Sequence, residues 1–280
     1  MAADCHIHML FDGSDWKQAI ARHSAAPDIP WIAERLAGYR ERGVTYLRDG
    51  GDRWGVGAAA RRLAPEYGIT YRTPLAPLAM EGHYGGFIGL TYGDLREYAR
   101  LVREQKAQGA DFVKIMVSGL MDFHRFGVLS QPGLDRMTIW ELIRIAHGEG
   151  MAVMVHANGA EQIAIAAAAG AESIEHGAYA DESALRAMAE NGTVWVPTLS
   201  TIANLRGKGR YPDAVTGRIL ENTMENVAVF VKMGGVVAPG SDAGAWAVPH
   251  DADTEYALLA RCGLTEGDIK KGEKAIMERF

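Results

Sequence analysis

Cysteine is scarce in this chain of 280 residues, which contains only Cys5 and Cys262. Two cysteines cannot build a disulfide framework, so we expect reduced thiols and a cytoplasmic protein. Lysine and arginine together number 29 against 35 acidic residues, and they do not cluster as they do in nucleic-acid binders. This composition excludes a disulfide-stabilised scaffold and a nucleic-acid partner.

Long hydrophobic runs are also missing. The most apolar stretch, residues 163–171, is too short to cross a bilayer and predicts a buried helix rich in alanine. The first residues are polar and reach His6 at once, so we expect no secretory signal. The chain has no linker, no low-complexity tract and no Gly-x-Ser-x-Gly motif for a serine nucleophile. We therefore expect one domain over residues 1–280 that acts on a small molecule away from membranes, with homo-oligomerisation left open.

What the chain does have is a regular alternation of strand and helix patterns. The strands are short continuous apolar runs, as in parallel strands covered by helices, and several helical patterns close with glycine. Eight such strands predict an α/β fold, a (β/α)8 TIM barrel, in preference to a doubly wound sheet. Two longer loops, 76–92 and 118–137, follow strands and are expected on the catalytic face. The predicted strands are residues 2–9, 44–49, 69–75, 112–117, 152–156, 173–176, 193–198 and 236–241.

Five of these strands end in, or contain, a side chain that can bind a metal. Residues i and i+2 of a strand point to the same face, so His6 and His8 can hold one divalent ion together. A His-x-His pair is a weak signal, and a single histidine is more often structural, but the combined pattern at one end of a barrel indicates a metal centre. The complete set is His6, His8, Lys114, His156, His176 and Asp242.

Two residues of this set also have a structural interpretation that needs no metal. Lys114 lies in an apolar strand, where burial favours the neutral amine that can react with CO₂ to form a carbamate. Its alternative is a lysine that extends to the barrel rim. Asp242 follows the last strand and can act as a ligand and general base, or it can cap the next helix.

At this point the chain resembles the amidohydrolase superfamily, and residues 174–200 are most similar to its imidazolonepropionase-related branch, which includes metal-dependent Xaa-Pro and Xaa-Arg dipeptidases. Members usually carry a small β-sandwich, but only five residues precede His6, so we expect a barrel without it. The segments that carry the resemblance are Asp4-Cys5-His6-Ile7-His8, Val113-Lys114-Ile115, His156-Ala157-Asn158-Gly159, Ile174-Glu175-His176-Gly177 and Gly240-Ser241-Asp242-Ala243-Gly244.

The resemblance implies a metal-dependent amidohydrolase that cleaves a dipeptide, an N-acyl amino acid or a cyclic amide. It implies two divalent ions, most simply Zn²⁺ for so nitrogen-rich a set, bridged by carbamylated Lys114 and a hydroxide. Asp242 would accept the proton of the attacking water and return it to the leaving amine. A lactonase or phosphotriesterase on the same centre is one alternative. A metal-binding protein without catalysis is another.

Substrate recognition is expected from the loops that follow the strands. Tyr179 lies three residues beyond His176 and can donate a hydrogen bond to the substrate. For every loop residue the alternative is a side chain that is merely exposed or packed within its loop, and the sequence leaves open whether Arg53 or Arg125 binds an anion. The candidates are Tyr179, His83, Tyr84, His124, Arg125 and Trp246.

Overall fold

The computed structural model describes residues 3–250 and 253–280, so Ala2 of the first predicted strand lies outside the described residues. In this part of the chain, strands and helices alternate and every strand pairing is parallel. The strands are β1 (Ala3–Ile7), β2 (Tyr46–Asp49), β3 (Thr70–Arg72), β4 (Leu78–Met80), β5 (Leu90–Tyr92), β6 (Val113–Met116), β7 (Val153–Ala157), β8 (Ser173–His176), β9 (Val194–Val196) and β10 (Val236–Val237).

The helices form the outer layer. A short 3₁₀ helix, Ala64–Tyr67, follows the third of them. The α-helices are α1 (Trp16–His23), α2 (Ile29–Glu41), α3 (Val56–Leu63), α4 (Leu95–Ala107), α5 (Arg136–Gly148), α6 (Ala160–Ala168), α7 (Glu182–Glu190), α8 (Leu199–Ala203), α9 (Asp213–Lys232), α10 (Thr254–Arg261) and α11 (Glu266–Arg279).

Two hydrogen-bonded sheets, in the orders β1-β2-β3 and β10-β9-β8-β7-β6-β4-β5, together make the barrel wall. At one junction the amide of Cys5 donates to the carbonyl of Pro239 over 2.9 Å. At the other, the amide of Asp111 donates to the carbonyl of Thr73 over 3.0 Å. The chain therefore has the α/β TIM-barrel fold that its sequence predicted, and residues 3–250 and 253–280 contain no β-sandwich.

The third predicted strand, residues 69–75, is shorter than expected. Pro74 and Pro77 cannot donate to a sheet, and Leu75 between them has a left-handed φ of 65°. The strand therefore stops at β3, and β4 takes its place beside β6. The prediction that residues 76–92 form a loop was wrong in one respect: this segment contains β4 and β5. β4 and β5 have three residues each, too few for a strand pattern to be recognised in the sequence.

Glycine ends the helices where the sequence indicated. The glycines after α2, α4, α5, α7 and α9 all have a left-handed φ, between 67° and 86°, which closes a helix without the steric cost that a side chain would add. They are Gly43, Gly109, Gly150, Gly192 and Gly234. These five helices thus end where the glycines in the sequence predicted.

The barrel interior is apolar at the end opposite the strand carboxyl termini. Cys5, Phe112, Met154 and Val194 pack there with Phe280, which follows α11. This apolar packing fills one end of the barrel, and the polar side chains lie at the other end.

Candidate metal centre and pocket

The carboxyl ends of β1, β6, β7 and β8 and the turn after β10 converge on a pocket of about 430 Å³. This is the size of a small-molecule site. The strands project their terminal side chains inward, so residues far apart in sequence meet here. All six predicted metal ligands line this pocket: His6, His8, Lys114, His156, His176 and Asp242.

His6, His8 and Asp242 form the tightest group. The two Nε2 atoms of the histidines lie 3.4 Å apart. Oδ1 of Asp242 lies 3.4 Å from Nε2 of His6 and 3.3 Å from Nε2 of His8. Three donor atoms at the corners of so small a triangle can share one cation.

His156 and His176 lie beside this group. Their ring centroids are 4.6 Å apart, and the rings of His176 and His6 are 5.1 Å apart. Nδ1 of His176 is 2.7 Å from the hydroxyl of Thr198, and Nε2 of His156 is 3.3 Å from the carbonyl of Gly119. Each ring is therefore held through one nitrogen, which leaves the other nitrogen for a ligand.

Burial keeps the four imidazoles neutral. It lowers the pKa of His8 and of His156 to about 3, with the Lys114 ammonium as the next cause. It also lowers the pKa of His6 and His176 well below the usual value. Neutral imidazole is the form that binds a metal, so the site is prepared for one at ordinary pH.

Lys114 and Asp242 are buried as well, with exposures of 2% and 6%. Burial lowers the pKa of Lys114 to about 8, which makes the neutral amine accessible. Burial raises the pKa of Asp242 to about 7. No helix begins at Asp242, so the alternative that it caps a helix does not apply.

A buried ion pair supports His6 from the side away from the pocket. Nδ1 of His6 lies 2.5 Å from Oε2 of Glu175, and Oε1 of Glu175 accepts a hydrogen bond from Arg48 over 2.8 Å. Arg48 also donates to the Ser173 hydroxyl over 2.9 Å. Glu175 was named from the sequence only as part of a motif, and Arg48 was not singled out, because their contact joins strands that are distant in sequence.

The backbone around the ligands is strained. His176, Thr198 and Asp242 all have a left-handed φ, of 67°, 47° and 58°, which residues other than glycine rarely adopt. Gly50 is needed for a different reason: a Cβ there would lie 2.4 Å from Cε1 of His8. The fold thus accepts a local cost to bring these side chains together.

The residues present fit a metal centre. The donor set is rich in nitrogen, as zinc sites are, and it includes a carboxylate. Nζ of Lys114 and Oδ1 of Asp242 are buried and have no hydrogen-bond partner among the described residues. A cation bound among these donors would relieve the cost of leaving such polar atoms unpaired.

Of the predicted substrate residues, Tyr84 and Trp246 line the pocket and the others do not. Tyr179 packs edge-on against Phe126 at 5.4 Å, and Arg125 is exposed and paired with Asp122 at 2.7 Å. The remaining candidates, His83, His124 and Arg53, are also absent from the pocket lining.

Five aromatic residues and two polar ones also line the pocket, and the sequence did not predict them. No signal marked them, because they come from separate loops and from helices α1 and α8, and they become neighbours only in the folded chain. The residues in question are Phe11, Trp16, Phe87, Phe123, Thr201, Arg210 and Tyr211.

Comparison with known proteins identifies the family. Residues 43–264 match the model of the amidohydrolase family. The chain belongs to the amidohydrolase family. This match confirms the resemblance to the amidohydrolase family that the sequence showed.

This amidohydrolase is 28% identical over 313 residues to an ochratoxinase of Aspergillus niger, an alignment that covers 97% of the chain and 63% of the ochratoxinase. The chain thus spans less than two thirds of that relative's length. Among solved structures it is similar to a Xaa-Pro dipeptidase with bound methionine, with a TM-score of 0.78, 22% identity and coverage of 99% and 75%. The A. niger ochratoxinase structure gives a TM-score of 0.76, 22% identity and coverage of 98% and 68%.

These solved structures share the fold of this amidohydrolase. No helix in the described ranges is both long and apolar enough to cross a membrane. Metal binding itself, the number and identity of the ions, and the carbamate on Lys114 stay predictions.

Proposed function

We propose that this protein hydrolyses the C–N amide bond of a small substrate at a centre of two divalent metal ions. The single observation that supports this most is the triangle of His6, His8 and Asp242 beside buried Lys114 in a member of the amidohydrolase family. Amide hydrolysis is also the chemistry that the names of its relatives, a dipeptidase and an ochratoxinase, suggest for it.

In this proposal His6, His8 and Asp242 would hold the first ion, and His156 and His176 would hold the second. The neutral amine of Lys114 would react with CO₂, losing one proton, and the resulting carbamate would add anionic oxygen ligands to the centre. When bound, the ions supply Lewis acidity toward the amide carbonyl and lower the pKa of water. A Zn²⁺ pair suits these donors best.

Asp242 is the group that moves the proton. Its Oδ1 faces the two histidines, whereas its Oδ2 accepts a hydrogen bond from Thr201 over 3.1 Å. Water adds its oxygen to the amide carbon and gives a proton to Asp242, which passes it to the nitrogen as the C–N bond breaks. The products are a carboxylic acid and an amine, and Thr201 keeps the carboxylate oriented through both transfers.

A substrate panel tests the proposal. Protein purified without chelator is analysed for metal, then supplied with Zn²⁺ and bicarbonate and assayed on dipeptides, N-acyl amino acids and lactones. We expect close to two ions per chain and hydrolysis of amides, lost with a chelator and restored with metal.

Other outcomes separate the alternatives. Turnover of lactones without amides would replace the proposal by lactonase chemistry. Two bound ions without turnover of any substrate would favour a metal-binding protein without catalysis. One well-occupied ion with active amide hydrolysis would contradict the two-metal part alone.

A further inference from the structure

Arg210 stands at the aromatic rim of the pocket. Its guanidinium lies 4.6 Å from the ring centre of Trp246 and 5.3 Å from that of Tyr211. The two rings are perpendicular, with centroids 6.2 Å apart. Stacking of this kind holds the flat guanidinium in place while its N–H edges stay available to a ligand.

Arg210 carries a charge that no carboxylate among the described residues pairs with, in contrast to exposed Arg125, which pairs with Asp122 at 2.7 Å. The other charged side chains of the pocket lining are Lys114 and Asp242, both assigned to the metal centre. Arg210 is therefore the cation that the described lining offers to a substrate.

A second part of the pocket wall is aromatic and apolar. Phe87 contacts Phe11, Trp16 and Tyr84, with ring centroids 6.4, 5.7 and 5.8 Å apart. Tyr84 then reaches His156 at 4.8 Å, so this wall runs from the rim to the metal ligands. Trp16 and Phe87 are 48% and 37% exposed, which leaves apolar surface for a ligand at the mouth.

We propose that Arg210 recognises a free carboxylate on the substrate, and that the aromatic wall takes a flat apolar group of the same molecule. The substrate class is then the N-acyl aromatic amino acids and dipeptides of similar chemistry. This inference rests on the proposed amide hydrolysis and adds a specificity-determining residue to it. An arginine fork forms two parallel hydrogen bonds with a carboxylate, which a neutral substrate cannot accept in the same way.

A matched pair of substrates isolates the carboxylate. N-acetyl-L-phenylalanine carries the amide, the ring and the acid, whereas N-acetyl-2-phenylethylamine carries the same amide and ring without the acid. Both are assayed with metal-loaded wild-type protein and with Arg210→Gln and Arg210→Lys. Arg218→Gln is the control, because Arg218 also stacks on an aromatic ring, 3.9 Å from the centre of Phe126, but does not line the pocket.

Arg210→Gln should raise KM for the acid about 10- to 100-fold, the value of a hydrogen bond to a charged group, with little change in kcat. KM for the analogue should stay unchanged. KM of Arg210→Lys for the acid should lie between the values of wild type and Arg210→Gln, because lysine keeps the charge without the planar fork. Arg218→Gln should behave as wild type.

An equal rise in KM for both substrates in Arg210→Gln would overturn the role of Arg210. Equal KM values of the wild type for the two substrates would do the same. Cleavage of other amides but of neither test compound would overturn the substrate class and leave amide hydrolysis standing. If no amide is cleaved, the proposed function fails, and calorimetric binding of N-acetyl-L-phenylalanine to the metal-loaded protein still decides the inference. A Kd unchanged by Arg210→Gln would then refute it.

Discussion

Nδ1 of His6 and Oε2 of Glu175 are 2.5 Å apart, and both side chains are completely buried. The carboxylate holds the proton of His6 on Nδ1, which turns the lone pair of Nε2 toward His8 and Asp242. Arg48 in turn compensates the charge of Glu175. An outer carboxylate of this kind orients a ligating imidazole and raises its basicity.

Glu175→Gln should weaken metal binding by roughly 10- to 100-fold, because the amide is a poorer acceptor for His6. It should also destabilise the metal-free protein by about 3–5 kcal/mol, since Arg48 becomes an uncompensated buried charge. Metal titration and denaturant unfolding measure the two effects separately. Wild-type metal affinity in this variant would show that Glu175 only balances Arg48.

Lys114→Ala should remove the second metal and most of the activity, because no carbamate can form to bridge the ions. Acetate should restore part of both by supplying a carboxylate in the space left by the side chain. Metal analysis and turnover with and without acetate check this result. In wild-type protein supplied with ¹³C-bicarbonate, a carbamate carbon signal should appear. Unchanged metal content and activity would return Lys114 to a structural role.

Asp242→Asn should lower kcat by about 10²- to 10⁴-fold, the usual contribution of general acid–base catalysis. The amide preserves the shape and an oxygen ligand, but it cannot take a proton near neutral pH. Steady-state kinetics together with metal analysis separate loss of catalysis from loss of metal. Near-normal turnover with both ions bound would assign the proton transfer to another group.

Gly50→Ala should displace His8, because the added Cβ would meet its Cε1 at 2.4 Å and its Nδ1 at 2.9 Å. We expect loss of the first metal and of activity. Gly148→Ala is the matched control: Gly148 is the exposed last residue of α5, its added Cβ meets nothing within 4 Å, and alanine favours the helix by up to about 1 kcal/mol. Equal metal binding by both variants would contradict the proposed packing against His8.

His250 should make stability depend on pH. Burial lowers its pKa to about 4, and its ring contacts Tyr39 at 2.9 Å and the carbonyl of Phe11 at 2.8 Å. Because this pKa is depressed, the contribution of His250 is complete above the unfolded value near 6.5 and is lost as pH falls toward 4.

The measurement compares wild type with His250→Gln by denaturant unfolding in the presence of chelator. The advantage of wild type should shrink by up to about 1.4 kcal/mol for each pH unit below 6.5. A difference that does not change between pH 7.5 and 5 would mean that His250 is not held neutral by the fold.

The sequence alone predicted the barrel and its six candidate ligands because both depend on local pattern. A short apolar strand followed by a helix that ends at glycine defines a βα unit. The last side chain of each parallel strand lies at the same end of the barrel in every unit. Lys114 could be singled out because an apolar strand is an unusual place for lysine. Tyr84 and Trp246 were named from their loops, and they do line the pocket.

Only the tertiary structure decided the contacts between segments that no local pattern connects. It ended the third predicted strand before Leu75, set Glu175 between His6 and Arg48, and placed Arg210 on Trp246. These relationships depend on distances through space between different strands and loops. The physical reason is that the sequence period determines which face a residue takes, whereas packing of the whole barrel determines which side chain it meets there.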